Sequence, residues 1–219
     1  MNSKSQGLKD KVTADFEVGK KVFHGALSKA QVEIDAVTAE ITKLRADLKT
    51  QTAEAKVKTM DRVNELTKKL DAARKEEQGK IDARLKELHK VTESVNAEVK
   101  HATAEGKAAA ETKAKAVRQE YDSARGALAA SLDAELAEWK ARISDALAAA
   151  VEKKAAAKAS VEAKIADLHV KHEAAQKKLD ALKQADASAF GELHRGVRTA
   201  IAEVNTAAQR ARAEIAAAL

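Results

Sequence analysis

Residues 30–48 read AQVEIDAVTAEITKLRADL, and their large apolar side chains recur in steps of three and four. Ile34, Val37, Ile41, Leu44 and Leu48 give a mean spacing of 3.5 residues. This spacing places the five side chains along one narrow stripe of an α-helix, with mostly polar residues on its flanks. The stretch therefore predicts a long amphipathic helix that buries a coiled-coil seam.

The composition lets this pattern extend along the whole chain. The 219 residues include no proline, whereas average usage would supply roughly ten. Proline costs a helix interior about 3 kcal/mol, because it lacks the N–H and its ring clashes with the preceding turn. Aromatic residues make up only 2% of the chain, so any core is a thin seam of Leu, Ile, Val and Ala. We predict an all-α protein of long antiparallel helices, either an elongated coiled-coil hairpin or a helical bundle.

The predicted seam contains the apolar side chains that keep helical spacing in both halves of the chain. They are expected to pack helix against helix, within one chain or between copies. The aromatic members fall on the same stripe and are predicted to be core, although they would anchor the protein if the stripe opened onto lipid. The seam residues are Phe16, Phe23, Ile34, Ile41, Leu44, Leu48, Leu132, Leu136, Trp139, Ile143, Phe190, Leu193, Val197 and Ile201.

Without proline, only glycine and polar clusters can interrupt the helices. The strongest candidate is ATAEGK at 102–107, because Leu, Ile and Val are missing from 100–116. It predicts a first helical arm over 1–105 and a second over 106–219, packed antiparallel as one structural unit. Weaker candidates lie at 49–56, 76–80, 152–158 and 184–188, and their use would give a bundle of shorter helices.

Charge and composition bear on whether the protein binds nucleic acid, spans a membrane or is secreted. The net charge is +6, but basic and acidic residues interleave along the chain, unlike the concentrated basic patch of a nucleic-acid-binding protein. No apolar run approaches the roughly 18 residues of a membrane span, and the first residues lack the apolar region of a signal peptide. We expect a cytoplasmic protein, and the interleaved charge disfavours nucleic acid as its partner.

Two short histidine motifs are the candidates for metal chemistry. His169 and His172 lie one helical turn apart next to Glu173, and Glu98 and His101 form a Glu-x-x-His pair. The chain contains no second Glu-x-x-His. His172 falls on the seam, where a polar side chain can fix the register in which two helices pack. The chain has no cysteine, glycine-rich phosphate loop or Ser/His/Asp arrangement. We predict no enzymatic activity, no metal and no cofactor.

The stretch AEGKAAAETKAKA at 104–116 resembles the eleven-residue repeats of group 3 late-embryogenesis-abundant proteins. The whole chain is also similar in composition to phasins, which coat polyester storage granules, and to exchangeable apolipoproteins. Its aliphatic seam is stronger than in the desiccation proteins, and the proline-punctuated repeats of apolipoproteins are missing. These resemblances imply a surface-coating amphipathic helix and transfer no functional residue.

Three functions follow as hypotheses. The leading one is a non-enzymatic structural or scaffold protein that self-associates, as a homo-oligomer, through its long amphipathic helices. The alternative is a phasin-like or apolipoprotein-like coat on lipid or polymer granules, with the seam opened onto that surface. A second alternative is a nucleoid-associated protein.

Overall fold

The computed structural model describes the backbone of residues 3–48, 50–151, 155–185 and 189–217. These residues form five helices: α1 (Ser3–Asp47), α2 (Ala53–His101), α3 (Ala104–Val151), α4 (Ala155–Gln184) and α5 (Phe190–Ala217). The described residues contain no β-strand. The prediction of an all-α protein of long packed helices is confirmed.

The helix ends lie within or next to the interruptions predicted from the sequence, and one predicted interruption is not found. Ala102 and Thr103 are non-helical, inside the predicted 102–107 break, and the Thr103 carbonyl accepts the first N–H bonds of α3, from Gly106 and Lys107, at 3.0 Å each. α1 ends at Asp47 and α2 begins at Ala53, so the segment between them overlaps the predicted break at 49–56. In this segment the Thr50 N–H and hydroxyl both donate to the Asp47 carbonyl at 3.1 Å. α3 ends at Val151, next to the predicted break at 152–158, and α4 ends at Gln184, the first residue of the predicted break at 184–188. Residues 152–154 and 186–188 lie outside the described residues.

The predicted break at 76–80 is wrong, because α2 continues through it. Gly79 is exposed, and no atom lies within 4 Å of a Cβ built on it. The glycine therefore removes no packing contact, and its cost to the helix is about 1 kcal/mol. Lys80 and Glu76 also form an ion pair of 2.7 Å across the same turn. One exposed glycine is too weak a signal to end a helix of 49 residues.

The chain divides into two compact units, one up to Leu128 and one from Ala129, so that α3 contributes to both. In the first unit α1 and α2 pack against each other in antiparallel fashion, with Arg62 donating to Glu40 at 3.1 Å. Ile34 and Ile41 of α1 form one buried cluster with Leu66 and Leu70 of α2. The stripe that decided the helix prediction is thus buried against the next helix in the chain.

The second unit is built from the end of α3, α4 and α5. α4 and α5 pack closely against each other, and α4 also contacts α3 through His172, whose Nε2 lies 2.8 Å from the Leu136 carbonyl oxygen. No helix in the described part of the chain has an apolar segment long enough to cross a lipid bilayer. The predicted antiparallel packing of arms 1–105 and 106–219 as one unit stays a prediction.

Candidate functional site

Most of the predicted seam residues are buried within the unit to which they belong. The buried ones are Phe16, Phe23, Ile34, Ile41, Leu132, Leu136, Trp139, Ile143, Phe190, Val197 and Ile201. Leu44, Leu48 and Leu193 are partly buried. In both units the apolar stripe is therefore covered by the chain's own helices.

The first unit also buries a charged contact where its three helices meet. Arg84 of α2 donates through Nη2 to Oε1 of Glu120 in α3 at 3.5 Å, and through Nη1 to Glu87 at 3.0 Å. The Nε2 atom of His24 in α1 lies 3.2 Å from Oε2, the other carboxylate oxygen of Glu120. Because a carboxylate only accepts, this geometry places the His24 proton on Nε2. Glu120 therefore bonds α1 and α2 to α3 at one level of the bundle.

Aromatic side chains enclose the guanidinium of this contact. The Arg84 Cζ lies 5.4 Å from the centre of the Phe16 ring and 5.9 Å from that of Phe23, within the range of a cation–π interaction. A Cβ built on Gly19 would lie only 2.9 Å from Arg84 Nη1. The missing side chain at Gly19 thus leaves the room that the guanidinium occupies.

The second unit ties α4 to α3 with polar contacts of its own. The carbonyl of Leu136 can only accept, so His172 donates to it from Nε2. His172 is partly buried on the seam, as its position predicted, whereas His169 is exposed. Among the described residues no group of three or more His, Cys, Asp or Glu is arranged to hold a metal ion.

Asp133 links α3 to α4 one turn before that histidine contact. Lys183 Nζ lies 3.1 Å from Oδ1 of Asp133, and Gln176 donates to the same oxygen at 3.3 Å. The hydrogen bond from Lys183 lowers the pKa of Asp133 below its ordinary value, with help from Gln176, although partial burial opposes the shift. The ionised carboxylate is therefore the form that the folded unit stabilises.

Trp139 lies in the same part of α3 and is covered by a charged side chain. It is 4% exposed, and the Arg142 Cζ lies 4.4 Å from the centre of its ring. Arg142 Nε also donates to Glu138 at 3.2 Å, and both side chains of this ion pair are buried. The only tryptophan of the chain is thus buried, with a charged side chain of its own helix over its ring.

A groove of about 350 Å³ lies between α4 and α5. Lys171, Glu203 and Arg210 line it, together with Thr199 and Thr206. Both threonine hydroxyls donate to carbonyls of their own helix, that of Arg195 at 3.0 Å and that of Ala202 at 2.9 Å. Neither of these two threonine hydroxyls therefore donates to a side-chain base.

Apolar side chains also remain on the outside of the first helix. Val18, Val22 and Val32 of α1 are 60%, 66% and 67% exposed. Met60 in α2 and Val170 in α4 are the other large apolar residues that are exposed in the described part of the chain. Isolated exposed apolar residues are common on soluble proteins, but three on one helix form a patch that is open to a partner.

The sequence interpretation missed the Arg84–Glu120 contact, although a signal for it exists. Glu120 lies three residues after Val117 and four before Ala124, so it occupies a seam position. Arg84 lies three residues after Ile81, next to Leu85. A charged residue on an otherwise apolar stripe indicates a buried ion pair or a polar partner.

Comparison of the chain with known protein families, with curated proteins and with solved structures finds no match. The resemblance of 104–116 to late-embryogenesis-abundant repeats, and of the composition to phasins and apolipoproteins, therefore rests on the sequence pattern alone.

Proposed function

We propose that this chain is a non-enzymatic structural protein of the cytoplasm, whose packed long helices form a scaffold that self-associates. The observation that carries the proposal is the contact of the buried Arg84 and Glu120 with the exposed His24, which ties three helices of the first unit together. Buried charges are costly unless they are paired in good geometry, so such a contact disfavours any alternative register of the helices. A unit held in one arrangement suits a scaffold.

The same contact weighs against a surface coat. A coat of the phasin or apolipoprotein kind would have to open the seam and lay its apolar stripe on lipid or polymer. Opening the first unit would separate Glu120 from Arg84 and turn charged groups at seam positions towards the apolar surface. That transfer costs several kcal/mol for each unpaired charge.

The charge distribution likewise disfavours a nucleoid-associated protein. Lysine and arginine side chains lie in ion pairs with acidic residues of the same helix, as in Lys69–Glu65 at 3.0 Å and Lys80–Glu76 at 2.7 Å. Counterion release from DNA needs cations that are free to neutralise phosphates. A salt-sensitive retardation of DNA at low ionic strength would revive this alternative.

The molar mass of the full chain tests the proposal. Light scattering across about two decades of protein concentration should give a mass that rises above the 23.4 kDa of one chain. The helical circular dichroism should stay constant over the same range, because the helices are already packed within each copy. A mass that stays at 23.4 kDa at every concentration would contradict self-association.

A further inference from the structure

We infer that the outer face of α1 is the surface through which two copies associate, as an antiparallel pair of α1 helices centred near residue 27. The inference rests on the proposed self-association and names its surface, its partner and its register. It starts from the exposed valines Val18, Val22 and Val32.

These valines belong to a second stripe of α1. Residues 18, 22, 25, 29, 32 and 36 are spaced by four, three, four, three and four, and they read Val, Val, Gly, Lys, Val and Ala. At 100° per residue this stripe lies opposite the buried face that carries Phe23 and Ile34. The helix thus has one apolar face covered by its own unit and a second one exposed to solvent.

Nothing in the described part of the chain covers the centre of this outer stripe. A Cβ built on Gly25 would have no atom within 4 Å. Lys29 and Ala36 are also exposed. By contrast, Met60 and Val170 are single exposed apolar residues of α2 and α4. The outer face of α1 is therefore the place where exposed apolar side chains form a row.

The order of side chains along the stripe complements itself when one copy is reversed. Around residue 27, Val22 comes level with Val32 of the second copy, and Val18 comes level with Ala36. Lys29 then lies over Gly25 of the second copy, where the missing side chain leaves room for the lysine stem and its ammonium can reach the rim. Val18 and Lys29 each meet a smaller residue, as close helix packing favours, and Val22 meets a valine of equal size.

Charges on one flank favour the same orientation. Lys21 and Asp35 are both exposed, and because they lie fourteen residues apart they share one side of the stripe. In the antiparallel pair Lys21 of each copy approaches Asp35 of the other, which gives two ion pairs. A parallel pair in register would instead bring Lys29 against Lys29, and it would place Lys21 and Asp35 of the two copies on opposite sides of the seam, where they cannot pair. Like charges at such positions destabilise an interface.

The interface is small. The six stripe positions, from 18 to 36, cover 19 residues of helix, and the first and last lie roughly 27 Å apart at 1.5 Å per residue. A contact of this length between two helices lies at the low end of specific protein interfaces. We therefore expect a reversible dimer with a dissociation constant on the order of micromolar.

Two pairs of substitutions with the same charge change test the surface in the full chain. Val22→Glu with Val32→Glu should weaken the dimer by about tenfold or more, because it places four carboxylates in the seam. Met60→Glu with Val170→Glu adds the same charge at exposed sites elsewhere and should leave the dimer unchanged. All four positions are at least half exposed, so circular dichroism should show folded chains.

The outcomes separate this inference from the proposed function. If the native chain never exceeds 23.4 kDa, the proposed self-association fails and this inference fails with it. If the native chain dimerises and Val22→Glu with Val32→Glu dimerises equally well, only the inference about α1 is overturned. Equal weakening by both pairs of substitutions would also overturn it, because the effect would then come from charge alone.

Disulfide formation tests the register, and the native chain contains no cysteine to interfere. Chains with Val22→Cys, mixed with chains with Val32→Cys, should form a disulfide-linked dimer under mild oxidation. Each variant alone should not, since identical positions lie about 15 Å apart along the antiparallel pair. Self-linking of either variant alone, or no linking of the mixture, would overturn the antiparallel register.

Discussion

Arg84 and Glu120 meet where neither side chain is open to water. Arg84 Nη2 lies 3.5 Å from Glu120 Oε1, and the two side chains are 3% and 2% exposed. They come from α2 and α3, and His24 adds a contact from α1. The three helices of the first unit are thus joined by one carboxylate.

Removal of this carboxylate should destabilise the first unit. Glu120→Ala leaves the Arg84 guanidinium buried with only Glu87 as an ionic partner, and loss of one member of a buried pair costs about 3 kcal/mol. Urea unfolding followed by circular dichroism measures the change.

Two further variants make this prediction specific. Arg84→Met combined with Glu120→Leu should recover much of the lost stability, because an apolar pair of similar volume needs no ionic partner. Glu65→Gln removes an exposed acceptor of Arg62 and Lys69 and should have little effect. Full stability of Glu120→Ala would contradict the role assigned to the contact.

The second unit should show a pH dependence from Asp133. Because Lys183 lowers the pKa of Asp133 from 3.8 in the folded unit, the ionised carboxylate stabilises the fold at neutral pH. This stabilisation is lost as the pH falls through the folded-state pKa. Asp133→Asn should therefore be less stable than the native chain at pH 7, by less than about 1 kcal/mol because the pair is partly solvated. The difference should shrink as the pH falls below 3.8 and vanish below the folded-state pKa.

Thermal unfolding at a series of pH values, followed by Trp139 emission, measures this difference. Asp167→Asn is the control, since its ion pair with Lys171 joins residues four apart in one helix and links no helices. It should cost less than Asp133→Asn at neutral pH. If the difference in unfolding temperature between the native chain and Asp133→Asn grew as the pH was lowered, the role assigned to Asp133 would be contradicted.

Two glycines offer a comparison of backbone and packing effects. Gly79→Ala should stabilise α2 by up to about 1 kcal/mol, because alanine is the better helix former and open space surrounds the position. Gly19→Ala has the same helical advantage, but its Cβ would lie 2.9 Å from Arg84 Nη1 and displace a guanidinium held by two carboxylates. Urea unfolding should rank Gly79→Ala above Gly19→Ala, and the reverse order would show that Arg84 moves at little cost.

The helical class and the buried stripe could be predicted from the sequence, because both depend on local spacing. Ile34 and Ile41 repeat at helical intervals, and they are buried in the structure. The break at Ala102 and Thr103 lies inside the predicted 102–107 interruption, although 104–116, which also lacks Leu, Ile and Val, is helical in α3.

The polar contacts could not be predicted, because they depend on which helices pair and in what register. Arg84 and Glu120 are 36 residues apart, and His24 is 96 residues from Glu120. A seam position occupied by Glu120 indicates that a partner is needed but does not identify it. The predicted break at 76–80 was wrong for a similar reason. The free-energy cost of Gly79 to the helix depends on whether another helix packs against its face, which the sequence alone does not reveal.

Emission from Trp139 tests most directly whether the seam stays closed on the chain's own helices. Trp139 is the only tryptophan, it is 4% exposed, and Arg142 covers its ring. The full chain would be titrated with vesicles of phospholipid brominated on its acyl chains, which quench tryptophan that enters the apolar layer. A closed scaffold predicts unchanged intensity and wavelength at saturating lipid. Quenching of Trp139 would contradict it, because the seam would then have opened onto the membrane surface.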